Sequence, residues 1–449
     1  MLSLFGIFLG LGLLMYLALK GYSIIWVAPL CAAVVAFTGG LDIISTYMGP
    51  YMTGLVGFVK TWFPAFMLSA IFGNMMETTG AAKSIAIVLT KWLGAKFAIA
   101  SIVISCAVLT LGGVSLFVVV FAIYPLALAI FKEANITRKL IPGAIALGAF
   151  TFTMTAVPGT PQIQNLIPMP YFGTTATAAP IMGLTATAVL FFGGLYYLEW
   201  KRKKHEANGE VYSEPDAAHA AKAKQNETLP NVFVALIPLV VVIAVLNTLP
   251  YFVKFTEEQL AAGRSTNEFI VYALLSGIAL VSLFNFNKRE LLLKSLTVGS
   301  QGAIGAVLNT SAAVGFGTVV RAVPGFADLT NMLLSIPGNP LISLSVAVNL
   351  LAGATGSASG GMGIALAALG AKYLELSRTS GISAQAFHRI ASLSSGGLDT
   401  LPHNGAVLTL LNNTGMTHKD SYFDIMVVSL IMPIVATVPA IILAVLGIY

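Results

Sequence analysis

The chain has 449 residues, 57% of them apolar and only 9% charged, where a soluble domain carries about 25% charged residues. So few charges cannot coat a water-facing globule of this length, which excludes a cytosolic enzyme, a nucleic-acid binder and a disordered chain. The apolar residues run in unbroken blocks rather than alternating, so the composition describes an all-α polytopic membrane protein and not a β-barrel. The net charge of +6 then reports loop topology, not an acidic partner.

Residues 2–19 are apolar from the start with no basic stretch before them, so they read as a first span rather than a cleavable leader. Further spans follow at 24–41, 97–111, 114–131, 177–198, 231–249, 268–286 and 424–446. The stretches 53–76, 140–170, 297–320, 340–375 and 388–414 are apolar but interrupted by Gly, Pro, Ser, Thr and Asn. Forty-three glycines and twenty prolines would be costly in soluble helices, but in a membrane they permit close contacts and deliberate breaks. We expect about 10–12 crossings, some as half-helices or re-entrant hairpins. Cys31 and Cys106 lie in apolar segments and read as small core residues. Trp26, Trp62, Trp92 and Trp200 read as interfacial anchors, and Lys132, Arg138, Lys139, Lys372, Arg378 and Arg389 as charges at loop ends.

One segment is aqueous. Residues 199–230 hold no apolar run and join a first half, 1–198, to a second, 231–449. Lys201, Arg202, Lys203 and Lys204 follow directly on a span and place this linker in the cytoplasm. The next loop, 250–267, is charge-balanced, as an outside loop can be. The return loop carries Lys288, Arg289 and Lys294, as an inside loop should. The sequon at Asn226–Thr228 falls in the cytoplasmic linker and is discounted.

At an offset of 244 residues three helix-breaking motifs coincide without gaps. Phe72-Gly73 falls on Phe316-Gly317, Gly112–Ser115 on Gly356–Ser359, and Val157-Pro158-Gly159-Thr160 on Leu401-Pro402-His403-Asn404. Paired interrupted segments at corresponding positions point to a secondary transporter with its site at the repeat interface.

The first break centres on Pro158, Gly159 and Pro161. Each proline removes a backbone donor, so a helix must stop and restart here, and the freed backbone groups are tolerable only where they line a cavity. Thr155, Thr160, Gln162 and Asn165 supply neutral hydrogen bonds there. The second break, 392–405, adds ionisable groups. Asp399 is expensive inside a membrane, about 2.5–3.5 kcal/mol on insertion scales, and is a functional candidate on that ground. It would carry a proton or ligate Na⁺ with nearby hydroxyls and carbonyls. His403 titrates near neutrality and would share that proton or donate to a substrate carboxylate. Thr400 and Asn404 complete the cluster. Gly113 and Ser115 in one half, and Ser357, Ser359 and Gly360 in the other, stand where re-entrant hairpins would turn. Glu77 and Arg321 are repeat mates of opposite charge, able to pair, to carry a proton (Glu77) or to hold an anion (Arg321). No phosphate-binding loop, His/Cys metal spacing or catalytic triad is recognisable, so we expect no catalytic residues, no metal and no cofactor.

The run 115–125, then 140–162 with Thr151, Thr155 and Pro158-Gly-Thr-Pro-Gln162, resembles the gluconate permease (gluconate:proton symporter) family, most of all its D-β-hydroxybutyrate permease branch. Gly396-Gly-Leu-Asp399-Thr-Leu-Pro402-His-Asn-Gly405 is similar to that family's second signature. The resemblance places the chain in the ion-transporter superfamily. It implies two inverted repeats, each with one re-entrant hairpin and one interrupted helix, a homodimeric scaffold and an elevator-like moving half. The superfamily's sodium-dicarboxylate branch has Ser-Asn-Thr at its tips where this chain has Gly-Gly-Val-Ser and Gly-Ser-Ala-Ser, a departure that favours protons over sodium. The expectation is a proton-coupled importer of a small hydroxylated monocarboxylate, gluconate-like or hydroxybutyrate-like, in the inner (plasma) membrane. Its partners would be that acid, a proton (Na⁺ as the alternative) and the bilayer, with no nucleic acid. A sodium-coupled organic-anion symporter, a passive anion channel and a membrane-embedded enzyme with Asp399 and His403 as its pair are the alternatives.

Overall fold

A computed structural model describes residues 2–114, 116–215, 229–256, 268–334, 336, 339–402 and 404–449. The expectations on Ser115, on His403, on the sequon and on the charges of 257–267 fall outside the described residues.

The first half comprises α1 (Leu2–Leu19), α2 (Ile24–Thr38), α3 (Ile43–Thr78), α4 (Ala81–Leu93), α5 (Ala98–Leu111), α6 (Leu116–Glu133), α7 (Ile141–Ala149), a broken stretch, and α8 (Pro180–Ala207). The second comprises α9 (Val232–Phe252), α10 (Glu268–Phe284), α11 (Arg289–Ala322), α12 (Gly325–Leu334), α13 (Pro340–Thr355), α14 (Ala358–Ser380), α15 (Ala384–Ser395), a break, α16 (Gly405–Thr414) and α17 (His418–Val445). No strand occurs among the described residues.

The offset of 244 extends from motifs to helix ends. Ile24 and Glu268 start equivalent helices; Thr78 and Ala322 end them, as do Leu111 and Thr355; Ala81 and Gly325 start the next pair. Packing repeats too: α5 on α7 matches α13 on α15, α2 on α11 matches α10 on α3, and α1 on α12 matches α9 on α4. The equivalent helices α3 and α11 pack on each other, as do α8 and α17. Such crossed pairings are what a pseudo-two-fold axis between the halves produces.

Each half holds three apolar helices, a broken helix and a final long helix, and among the described residues five helices, or six with the bent pair, are long and apolar enough to cross a membrane. Five crossings per half, an odd number, would bring the second half in from the opposite side, the inverted arrangement such repeats adopt. The helix pairs α5–α6 and α13–α14 are the hairpins. Gly94 (φ 69°, ψ 176°) separates α4 from the helix leading into the first hairpin, and the two are bent by 99°. The amphipathic α4 therefore does not extend the first hairpin's arm.

Two features differ from the sequence reading. Trp62 is not an interfacial anchor: it is 2% exposed and packs beside Phe58 with ring centroids 6.3 Å apart. The helix ending the first half does not stop at 198 but runs through the basic stretch to Ala207. Beyond it, Lys139 holds Glu210 at 2.6 Å and Lys132 pairs with Glu214. The hydrogen bond from Lys139 holds the Glu210 carboxyl below its ordinary range.

Candidate functional site

In the first break α7 ends at Ala149, one turn follows (Phe152–Thr155), and the chain then opens through Ala156–Gln162. Gly159 has φ +77°, a left-handed conformation natural to glycine. Its N–H donates to Ala176 O at 2.8 Å, and its carbonyl accepts from Asn247 Nδ2 at 2.8 Å. A Cβ at 159 would lie 2.6 Å from Asn247 Oδ1, so both shape and space require Gly. Thr160 Oγ1 accepts from the Gln162 amide at 3.0 Å. Gln162 Nε2 donates to Thr110 O at 2.6 Å, tying the break to the end of the first hairpin's leading helix. Gly113 stands at that tip, where a Cβ would meet Pro161 at 3.2 Å. Asn165 Nδ2 bonds the carbonyls of Thr160 and Ala176, at 3.0 and 2.8 Å.

The second break uses the same device with more hydrogen bonds. α15 stops at Ser395, a short turn spans Leu398–Thr400, and α16 restarts at Gly405. Asn404, the repeat mate of Thr160, caps the restart: its Oδ1 accepts from Ala406 N at 2.7 Å and Val407 N at 3.0 Å. Its Nδ2 donates to Gly356 O at the second hairpin tip and to Asp399 O, both at 2.9 Å. Thr400 Oγ1 donates to Ser429 O at 3.0 Å. Ser357 caps α14 through Gly360 N (3.1 Å), and Ser359 reaches Ser357 (3.4 Å) and Thr310 (3.3 Å). Asn349 on α13 accepts from Leu398 N at 3.3 Å, and a Cβ at Gly397 would fall 1.8 Å from its Oδ1. The helices thus break where Pro and Gly dictate, and each break is pinned to its own hairpin tip by an amide side chain.

The two breaks touch across the repeat interface. Ser392 Oγ donates to Thr155 O at 2.8 Å, and a Cβ at Gly396 would sit 3.0 Å from Thr155 Cγ2. Asp399, the repeat mate of Thr155, is 6% exposed, and its Oδ1 has no hydrogen-bond partner among the described residues. Leaving a buried carboxylate oxygen without a donor costs several kcal/mol if the group is ionised and unpaired, on the order of 3–5 kcal/mol for a broken buried pair. Glu77 is half-buried in the last turn of α3. Its repeat mate Arg321 is exposed and donates to Ala367 O at 3.1 Å.

A cleft of about 160 Å³ opens beside the first break, not among the four motif tips. One wall is Thr175, Ala176 and Thr177, just past the break; the other is α9 and α10 of the second half, including Leu246, Asn247 and Phe269. None of the motif side chains chosen from the sequence lines it.

Arg389 corrects the sequence reading most. Taken as a loop-end charge, it is 0% exposed in the middle of α15, with bonds to Ala178 O, Ala176 O and Asn165 Oδ1. Beside it His388 bonds Thr174 Oγ1 at 2.6 Å, and Gln385 accepts from Ala179 N at 3.1 Å. Three residues of one helical face therefore clamp the segment after the first break. The available signal was position: Arg389 lies on the same broken helix as Asp399, with Ala, Ile, Leu and Ser around it rather than the polar run of a loop.

No protein-family model matches the chain. It is 43% identical to the uncharacterized transporter YxjC of Bacillus subtilis (strain 168), over 95% of this chain and 95% of that one. The chain belongs to this transporter family. An uncharacterized permease of Haemophilus influenzae is 24% identical over 80% of the chain and 82% of its own length. Among solved structures, the Alcanivorax borkumensis YdaH transporter aligns with a TM-score of 0.56 at 13% identity, over 88% of this chain and 87% of that one. Neisseria gonorrhoeae MtrF, from a class of antimetabolite efflux pumps, aligns with a TM-score of 0.52 at 14% identity, over 90% and 84%. At these identities the likeness is one of fold. The protein is a multi-pass membrane transporter, and transporters of this kind move a small molecule rather than transform it.

Proposed function

We propose that this transporter imports a small hydroxylated monocarboxylate together with a proton, by alternating access in which one part of each protomer moves against a homodimeric scaffold. The observation that carries the reading is Asp399: a buried carboxyl at the second helix break with one oxygen unpartnered among the described residues. At the second break Asn404 is spent on backbone groups, so Asp399 is the group in reserve for a coupling proton, shared with His403. The opposite helix break offers only neutral groups, Thr155, Thr160, Gln162 and Asn165, to hold the hydroxyl of a substrate. Ser359, Thr160 and Asn404 border the path its carboxylate would take, and Glu77 is a second candidate proton carrier. Similarity to the gluconate permease motifs supports the acid as cargo, and the basic run after α8 supports an inner-membrane orientation with 199–230 in the cytoplasm.

The hydroxyls of Thr310, Ser357 and Ser359 at the second tip favour one other reading, sodium coupling. Purified protein in proteoliposomes separates the two. The proposal expects saturable uptake of a hydroxy acid driven by an inward proton gradient, unaffected by Na⁺, with counterflow of preloaded substrate. Uptake that requires Na⁺ overturns proton coupling, and non-saturating uptake without counterflow overturns a carrier in favour of a channel.

A further inference from the structure

Arg389 heads the largest fully buried side chains of the described molecule, and every acceptor it has is neutral. Its Nε and Nη2 donate to Ala178 O at 3.0 and 2.6 Å; Nη2 also reaches Ala176 O at 3.4 Å, and Nη1 donates to Asn165 Oδ1 at 2.9 Å. Among the described residues no carboxylate pairs with it. A guanidinium keeps its charge in a protein, so an uncompensated positive charge is fixed behind the segment 174–179.

The carbonyls it holds belong to one turn, closed by Ala178 N on Thr175 O at 3.0 Å. Ala176 O collects three donors: Gly159 N and Asn165 Nδ2 at 2.8 Å each, and Arg389. In a trans peptide the N–H points opposite the C=O. With the Ala176 carbonyl drawn toward Arg389, the Thr177 amide is turned away from it. The amides of Ala176 and Thr177 find no acceptor among the described residues. Thr175, Ala176 and Thr177 also form one wall of the 160 Å³ cleft. The Thr175 and Thr177 hydroxyls share one hydrogen bond of 2.9 Å, which leaves one hydroxyl proton to donate elsewhere. The facing wall, from the second half, sets Leu246, Pro250 and Phe269 beside Asn247 and Tyr251.

We propose that this cleft binds the carboxylate of an organic acid, with the turn 175–178 as its donor surface and Arg389 behind it as the fixed charge that selects an anion. The inference rests on the organic-acid reading above and narrows it. The Leu246, Pro250 and Phe269 part of the facing wall suits a short aliphatic tail, and among the described residues only Asn247 and Tyr251 stand there to meet hydroxyls, too few for a polyhydroxylated chain. Arg389 touches no substrate here; it is a positioning and field-setting residue, and the turn makes the contact.

The test is thermal unfolding of the full-length protein in detergent, titrated at constant ionic strength with 3-hydroxybutyrate, gluconate, inorganic phosphate or the neutral 1,3-butanediol. The expected result is saturable stabilisation by 3-hydroxybutyrate alone. Thr175→Val/Thr177→Val, which leaves every Arg389 bond in place, should weaken its apparent affinity at least tenfold. Arg389→Lys should keep anion binding and Arg389→Gln should lose it; where Arg389→Gln does not fold, the threonine pair carries the test. Equal stabilisation by butanediol or phosphate, or unchanged affinity in the threonine variant, overturns the site. Equal stabilisation by gluconate overturns the short-tail selectivity. The measurement uses no gradient, so failure of proton coupling in uptake leaves it untouched. Acid uptake without any acid stabilisation sinks this inference and spares the transport reading.

Discussion

Asn404→Ala should damage the protein far more than Thr160→Ala, although the two residues occupy the same repeat position. Thr160 contributes one side-chain bond, to the Gln162 amide, so its loss is an ordinary cap deletion of about 0.5–1 kcal/mol. Asn404 makes four. Two cap Ala406 and Val407, and two hold the Gly356 and Asp399 carbonyls. Removing it deletes the cap and strands two carbonyls in a buried setting, each worth about 1–3 kcal/mol when left unsatisfied, for a total on the order of 3–6 kcal/mol. Cys31 and Cys106 are free and 0% exposed, so a thiol-reactive fluorophore reports unfolding without an added label. The melting point should fall several times further in Asn404→Ala than in Thr160→Ala. An equal fall, or a larger one in Thr160→Ala, would mean that the ties between break and hairpin tip do not carry the load assigned to them.

Other consequences are as direct. Gly397→Ala places a methyl 1.8 Å from Asn349 Oδ1 and should abolish transport and lower the melting point; adding Asn349→Ala should recover part of the stability, a coupling that a double-mutant cycle measures. Arg321→Gln, at an exposed site with one carbonyl partner, should change stability by less than about 0.5 kcal/mol and leave uptake unchanged. Glu210 has its carboxyl held low by Lys139. Its contribution to docking the start of the linker is therefore present at neutral pH and lost as pH falls through that lowered value. Protease cleavage between 208 and 215 should rise at acid pH, and in Glu210→Gln it should already be raised at pH 7.

The broken helices and their symmetry were legible because backbone chemistry is local. Pro158, Pro161 and Gly159 stop a helix whatever surrounds them, and an offset shared by three such motifs is a statement about the chain alone. The hairpins were legible for the same reason, through Gly112-Gly113 and Gly356. What escaped depends on contacts distant in sequence. Arg389 reads as a loop charge until the turn 175–178, more than two hundred residues earlier, supplies its acceptors. Trp62 looks like an anchor until Phe58 and the packing of α3 on α11 enclose it. The cleft belongs neither to a break nor to a hairpin, since its walls come from different halves and no short motif marks it.

The central claim is that Asp399 carries the coupling ion. Uptake and counterflow measured side by side in proteoliposomes bearing Asp399→Asn test it most directly. The account predicts that a proton gradient no longer drives accumulation while exchange of preloaded substrate persists. Gradient-driven accumulation at the wild-type level in that variant would contradict it.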